Sequence, residues 1–185
     1  DREDTQVRGS SGSGITFSYF TVNGESAEHF GAEAEATWFI NDQFTLNLAG
    51  GLLQTDRDAF SVSGAPTVSY KSGDVSNAPD FTYCARLDYD ADNGIFAIAE
   101  VVGSDQYYES DDPVNRSKSQ RGAYTVVNAS IGYRYKNWTL TIWSKNLFDE
   151  EYEDRVFFFD NGAGEQRYEG PAAPRTFGVT ANYSW

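Results

Sequence analysis

The sequence has no methionine, one histidine and one cysteine among its 185 residues. The single cysteine, Cys84, cannot form an internal disulfide, so it does not indicate a redox compartment. With one histidine there is little material for a histidine-based metal cluster or a Ser-His-Asp triad. No nucleophile-histidine pairing is visible, so the sequence predicts neither an enzyme nor a cofactor.

Long apolar runs and positive charge are also scarce. No stretch approaches the roughly 18 apolar residues of a membrane-spanning helix. Lys and Arg total 14 against 28 Asp and Glu, which gives a net charge of -14. This balance argues against binding to a nucleic-acid backbone, which requires clustered Lys and Arg. The scarcity of apolar runs does not exclude a membrane protein made of strands, because a barrel needs only one apolar face per strand.

Aromatic residues and glycine are plentiful, with twelve Tyr, thirteen Phe, four Trp and seventeen Gly. This composition favours strands and tight turns. Apolar residues recur at every second position over segments of about ten residues, which is the signature of strands. The predicted strands are 1–9 (partial), 15–40, 43–57, 79–90, 94–109, 123–135, 137–148 and 175–185.

The predicted connections are of two kinds. Short polar turns lie around Asn41-Asp42, at 90–94 and at Lys136-Asn137. Between them lie long excursions at 58–77, 109–122 and 149–173, and long loops are uncommon in compact soluble domains. Alternation of short turns with long loops is typical of a transmembrane barrel.

The two faces of the predicted strands decide between a membrane barrel and a soluble sandwich or barrel. The apolar faces carry aromatic rings near the strand ends, at two levels, as interfacial girdles do. The opposite faces carry charged residues, which a hydrated lumen can accommodate: Glu33, Glu35, Arg86, Glu100 and Arg134. The sequence therefore predicts an all-β, antiparallel transmembrane barrel with its apolar face toward lipid.

Four stretches resemble a known family. They are FGAEAEATWFINDQFTLNLAGGLLQTD, NAPDFTYCARLDYD, YTVVNASIGYRYKNWTLTIWSKNLFDEEYE and GPAAPRTFGVTANYSW. In this order and spacing they resemble the C-terminal part of TonB-dependent outer-membrane receptors. The most specific pieces are Asn146-Leu147-Phe148-Asp149 followed by Tyr152, and Pro174 to Gly178 before the last strand.

The resemblance implies that residues 1–185 belong to one barrel domain, as about the last eight of 22 strands. The plug domain and the TonB-binding box would lie upstream and are absent from this sequence. The implied function is active uptake of a scarce nutrient, such as a ferric siderophore, cobalamin or a saccharide, across the outer membrane of a Gram-negative bacterium. The implied partners are outer-membrane lipid, the assembly machinery, the rest of the barrel, and TonB acting through the plug. The alternative is a self-contained eight-stranded barrel with a structural or adhesive role.

Three groups of residues are candidates for sites. The lumen charges would contact the plug or one another, and the last strand would carry an assembly signal in Phe177, Tyr183 and Trp185. Aromatic residues in or beside the loops could stack on a ligand: Tyr107, Tyr108, Tyr124, Phe157, Phe158, Phe159 and Tyr168.

A weaker alternative is a calcium loop at DYDADNG, with Asp88, Asp90 and Asp92 at alternate positions. The calcium consensus needs glycine at the sixth position and glutamate at the twelfth. Here Gly94 and Glu100 fall at the seventh and thirteenth positions. A polar hairpin turn is therefore the preferred interpretation, and no metal site is predicted.

Overall fold

The computed structural model describes residues 6–11, 18–24, 26–62, 68–160 and 165–185. These residues form fifteen β-strands and one short 3-10 helix, Arg116–Lys118. The strands are β1 (Gln6–Ser11), β2 (Ser18–Asn23), β3 (Ala27–Phe39), β4 (Phe44–Arg57), β5 (Phe60–Val62), β6 (Val68–Tyr70), β7 (Phe81–Asp90), β8 (Ile95–Ser104), β9 (Tyr107–Tyr108), β10 (Gln120–Arg121), β11 (Tyr124–Tyr135), β12 (Trp138–Lys145), β13 (Glu153–Asp160), β14 (Glu165–Pro171) and β15 (Thr176–Tyr183).

Seven strands form one antiparallel sheet in the order β15-β12-β11-β8-β7-β4-β3. Short turns join them at one end, which we name the turn end. There the side chain of Asn41 accepts hydrogen bonds from the backbone N–H groups of Gln43 and Phe44, each at 2.9 Å. Lys136 adopts a positive φ of 52°, so two residues suffice to join β11 to β12. The long connections all project from the opposite end, named the loop end.

The sheet has one apolar face and one polar face, because side chains alternate along each strand. One row of paired residues across five strands is Ala36, Leu48, Ala85, Val101 and Val127. The next row is Thr37, Asn47, Arg86, Glu100 and Asn128. We name the first the outer face and the second the inner face.

The outer face is apolar yet exposed. Phe30, Trp38 and Phe177 are 77%, 62% and 80% exposed. The buried apolar residues in the described part of the chain are few, and two of them, Phe60 and Tyr70, stack at 4.4 Å in a loop. The sheet therefore does not gain its stability from a packed interior beneath one face.

Three small antiparallel pairs lie within the long connections: β5 with β6, β9 with β10, and β13 with β14. Five of these strands lie in regions predicted as loops, whereas β9 lies within the predicted strand 94–109. The strands there are two to eight residues long and lie apart from the main sheet.

The predicted all-β antiparallel fold is confirmed, with small differences in extent. The main sheet contains seven described strands instead of eight, because β1 pairs with β2 in a separate two-stranded sheet. Parts of the first two predicted strands (1–5, 15–17 and 25) lie outside the described residues. The predicted strand 94–109 ends at Ser104, and 137–148 ends at Lys145 because Asn146 has a positive φ of 50°.

The two edges of the sheet are β3 and β15, and within the described ranges they do not pair with each other. The described strands therefore form an open wall. No helix among the described residues has the length and apolarity needed to cross a membrane.

Candidate functional site

A hydrogen-bonded chain of side chains crosses the middle of the inner face. Thr37 Oγ1 donates to Asn47 Oδ1 at 2.9 Å, and Asn47 Nδ2 donates to Asp88 Oδ2 at 3.1 Å. Arg86 completes the chain with an ion pair to Asp88 at 2.7 Å. Arg86 is thus paired, as its position on a charged inner face predicts, but its direct partner is Asp88, two residues along the same strand.

A second chain runs from the inner face to the loop end through Asn128. Asn128 Nδ2 donates to Glu100 Oε1 at 2.9 Å, and Asn128 Oδ1 accepts the backbone N–H of Asn146 at 3.0 Å. Asn146 is 4% exposed, and its side chain bonds the backbone of Glu150 and the carbonyl of Ala173. The turn after β12 is therefore anchored to the inner face.

The inner face at the turn end holds Arg134. Its guanidinium pairs with Asp90 at 2.6 Å and lies over the ring of Phe96, 4.2 Å from the centroid. Gly132 allows this arrangement, because a Cβ at that position would clash with the Phe96 ring. Both partners in the ion pair are about half exposed, so solvent weakens it.

Glu33 and Glu35 occupy a different setting on the inner face. They line a cavity of about 580 Å³ that also includes Cys84, Tyr107 and Tyr124. Within the described ranges neither carboxylate has a hydrogen bond or ion pair. Of the predicted lumen charges, these two are the ones left available to an external cation.

At the loop end, Asp111 joins two long connections. Its Oδ1 atom lies 2.5 Å from Nη1 of Arg57 and 3.1 Å from Nη1 of Arg116. Its Oδ2 atom accepts a hydrogen bond from Ser76 at 2.6 Å. Arg57 is 3% exposed, so its charge depends on this carboxylate for compensation.

A second ionic cluster joins the middle connection to the β13–β14 hairpin. Arg121 pairs with Glu109 at 3.2 Å and donates to the hydroxyl of Tyr107 and the carbonyl of Glu153. The backbone N–H of Val156 donates to Glu109. Burial raises the pKa of Tyr107, while the positive charge of Arg121 opposes that shift.

The aromatic candidates separate into two groups. Phe157, Phe159 and Tyr168 lie on one face of the β13–β14 hairpin, and Phe157 stacks on Tyr168 at 5.5 Å. They are 47%, 57% and 36% exposed, and we name them the aromatic face.

The remaining candidates are engaged within the protein. Tyr107 and Tyr108 hold the guanidinium groups of Arg121 and Arg116 at 5.0 and 4.5 Å. Tyr124 stacks on Tyr152 at 4.4 Å. Phe158 alternates to the hairpin face opposite the aromatic face and is half-buried. Of the predicted rings, Phe157, Phe159 and Tyr168 are thus the exposed ones that share a face, and ligand contact by any of the set stays a prediction.

The residues of the calcium alternative are distributed between two ion pairs and a turn. Asp88 pairs with Arg86 and Asp90 with Arg134. In the part of the chain that the structure describes, no three His, Cys, Asp or Glu side chains are grouped as metal ligands.

The proposed assembly residues lie on the last strand and just beyond it. Phe177 and Tyr183 are 80% and 49% exposed, and Trp185 is fully exposed. The ring of Tyr183 packs against Trp138 at 4.9 Å on the outer face. Their role as an assembly signal stays a prediction.

The contacts that organise the loop end were not predicted from the sequence. Arg57 and Asp111 are 54 positions apart, and Glu109 and Val156 are 47 apart. Periodicity carries no signal for such contacts, because each joins a loop residue to a strand that is not its neighbour in the main sheet. Asn146 was noted as part of a motif, and the structure supplies its role as an anchor.

Comparison with known proteins identifies related folds. A family model described as TonB dependent receptor-like, beta-barrel matches residues 1–147. The ferric yersiniabactin uptake receptor FyuA from Yersinia pestis has a TM-score of 0.72 and 17% identity, over 89% of this chain and 24% of its own. The ferric-catecholate import receptor Fiu from E. coli K12, in its closed form, has a TM-score of 0.70 and 19% identity, over 98% of this chain and 23% of its own.

A copper transporter, OprC, has a TM-score of 0.70 and 16% identity, over 99% of this chain and 27% of its own. At these identities the likeness shows the fold. The chain spans about a quarter of the length of these solved structures.

Proposed function

Because the chain belongs to the TonB-dependent receptor β-barrel family, we propose that it forms part of the wall of a barrel that imports a scarce nutrient. Members of this family are transport receptors of the Gram-negative outer membrane. The observation that carries the proposal is the two-faced sheet. Its outer face is apolar and exposed, while its inner face is lined by hydrogen-bonded polar groups.

In a transport barrel the apolar outer face would contact lipid and the polar inner face would contact the hydrated lumen. Exposed aromatic residues such as Trp38 and Tyr183 belong at a membrane interface, where one side of the ring is apolar and the other is hydrated. The loop end would face the exterior and the turn end the periplasm, since long loops are extracellular in such barrels.

The ligand class that we propose is a ferric siderophore. Two of the similar structures are receptors for ferric yersiniabactin and for ferric catecholates, whereas a third is a copper transporter. The aromatic face favours the first class. Phe157, Phe159 and Tyr168 present flat rings at the loop end, and such rings stack on conjugated chelators.

The carboxylates of Glu33 and Glu35, which are unpaired within the described ranges, favour a lumen that is filled by a plug domain. In a closed barrel they would be partly desolvated, and a lone charge in such a place is unfavourable unless a cation approaches it. We propose that basic groups of the plug domain supply that cation. Pulling on the plug by TonB would then break these contacts when the path opens.

Uptake of iron tests the function. A strain lacking the gene is supplied with radioactive iron bound to a set of purified siderophores, and complemented with the full-length receptor. We expect uptake of one siderophore to be lost in the deletion strain and restored by the gene. A triple variant, Phe157→Ala, Phe159→Ala and Tyr168→Ala, should lower uptake at unchanged outer-membrane abundance.

The matched control is Phe39→Ala, which removes an aromatic ring that is 74% exposed at the turn end. It should leave siderophore uptake unchanged. Full uptake by the triple variant would contradict ligand contact by the aromatic face. A deletion strain that keeps all siderophore uptake but loses copper uptake would replace the proposed ligand class.

A further inference from the structure

The connection between β8 and β11, residues 105–123, lies between two other loop-end segments. We name it the bridging loop. Through Asp111 it contacts Arg57 and Ser76, and through Glu109 it contacts Val156 of the β13–β14 hairpin. Asp111 and Glu109 are two positions apart in the chain. The bridging loop is therefore a short physical path between segments that are distant in sequence.

The first side of the path is a buried ionic contact. Asp111 accepts from Arg57 at 2.5 Å and from Ser76 at 2.6 Å. Arg57 also donates to the carbonyl of Lys71 at 3.2 Å. Because Arg57 is 3% exposed, moving Asp111 away would leave a buried charge without its partner. This contact resists separation.

The second side holds the hairpin from both its strands. The N–H of Val156 in β13 donates to Glu109. Arg167 in β14 donates to the carbonyl of Lys118 at 2.7 Å and pairs with Glu153 at 2.7 Å. Both strands of the hairpin are thus joined to the bridging loop by charge-assisted hydrogen bonds, which are stronger than neutral ones.

Hydrogen bonds within the bridging loop connect the two contacts. Ser119 is fully buried, its carbonyl accepts the N–H of Glu109 at 3.1 Å, and its hydroxyl accepts the N–H of Ser110 at 3.1 Å. Arg116 Nη1 binds Asp111 at 3.1 Å, and the guanidinium lies over the ring of Tyr108. We therefore expect a displacement at Asp111 to be transmitted to Glu109 through these hydrogen bonds, and the reverse.

From this geometry we propose that the bridging loop is a clamp that makes the three loop-end segments move as one body. A ligand or partner that displaces the β13–β14 hairpin would shift Arg57 and Ser76 as well, and the reverse also holds. This coupling goes beyond the proposed transport function, because it rests on contacts within the protein and applies whatever ligand binds.

Hydrogen exchange of the full-length receptor, in detergent and without ligand, tests the coupling. Asp111→Asn keeps the shape of the side chain and removes its charge. Two backbone amides report on the two sides: Val75, whose N–H donates to Thr55, and Val156, whose N–H donates to Glu109. We expect both amides to exchange at least about tenfold faster, because a hydrogen bond to a charged group contributes more free energy than a factor of ten requires.

The matched control is Asp90→Asn, which removes a similar carboxylate that pairs with Arg134 at the turn end. It should leave exchange at both amides unchanged. Faster exchange at Val75 with unchanged exchange at Val156 in Asp111→Asn would overturn the proposal. If Asp111→Asn does not assemble, the milder Ser76→Ala variant is measured in its place and judged by the same two amides.

Discussion

Asn128 on the inner face and Asn146 after β12 are joined by a hydrogen bond of 3.0 Å from the backbone N–H of Asn146 to the side-chain oxygen of Asn128. The amide nitrogen of the same Asn128 side chain donates to Glu100. One asparagine thus connects strand β8, strand β11 and the turn that leads into the loop end. Asn146 Nδ2 also donates a hydrogen bond to the carbonyl of Ala173, just before β15, at 3.2 Å.

Replacement of Asn146 should destabilise the barrel. Asn146→Ala removes three side-chain hydrogen bonds to the backbone at a position that is 4% exposed, and we expect a loss of about 2–4 kcal/mol in the free energy of unfolding. Because Asn146 has a positive φ of 50°, Asn146→Gly should be more stable than Asn146→Ala by about 1 kcal/mol. Urea titration followed by the gel shift between folded and unfolded barrel measures both values.

The control for Asn146 is Asn137→Ala. Asn137 is exposed and donates one hydrogen bond, to the carbonyl of Ser184 at 2.7 Å. It should cost clearly less than either variant at Asn146. Equal losses at the two positions would show that burial of the Asn146 side chain is not what stabilises the turn.

Arginine substitutions on adjacent residues of β12 should differ according to face. Ile142 lies on the outer face and is 56% exposed, whereas Thr141 lies on the inner face opposite Gly132 and Thr180. Ile142→Arg should cost about 2–4 kcal/mol of barrel stability, as arginine does near the middle of a bilayer. Thr141→Arg should cost much less. Unfolding in lipid vesicles measures the difference, and a reversed order would mean that the assignment of the faces is wrong.

Gly132 should tolerate no side chain while Phe96 is present. Its Cβ would meet the Phe96 ring and the carbonyl of Leu140, so we expect Gly132→Ala to cost about 1–3 kcal/mol. Phe96→Ala in the same chain should restore part of the loss. Gly122→Ala is the control, because nothing lies within 4 Å of a Cβ at that position. Thermal unfolding compares the four proteins.

The loop end should weaken at high pH. Burial raises the pKa of Tyr107 above the value of about 10 that it has in the unfolded chain. The stability from the neutral hydroxyl is therefore complete below pH 10 and is lost as pH rises through the raised pKa of the folded state. Tyr107→Phe should flatten this alkaline decline. Hydrogen exchange of residues 105–123 between about pH 8 and 11, corrected for the intrinsic rate, measures it, and identical declines in both proteins would contradict the assignment.

The sequence was sufficient to predict the main sheet because alternation is a local property. Ala36 and Glu100 lie on the faces that their parity predicts, since a strand has a side-chain period of two. The β13–β14 hairpin lacked this signal, because the residues of β14, EQRYEGP, do not alternate between apolar and polar. The contact between Arg57 and Asp111 had no local signal either. Their contact depends on how the bridging loop folds over the end of β4, and several acidic residues of that loop were equally good candidates.

The strand order of the main sheet also has a consequence for how the protein folds. Each strand of the main sheet pairs with the next sheet strand in the sequence. The paired strands are therefore separated only by the connection between them, so most contacts of the sheet are local in sequence. Arg57 and Asp111 are separated by 54 positions, and the chain between them includes two strands of the main sheet, β7 and β8. We expect their ion pair to close after both of these strands have paired. Arg57 would then stay hydrated until Asp111 reaches it, which avoids an intermediate with a buried, uncompensated charge.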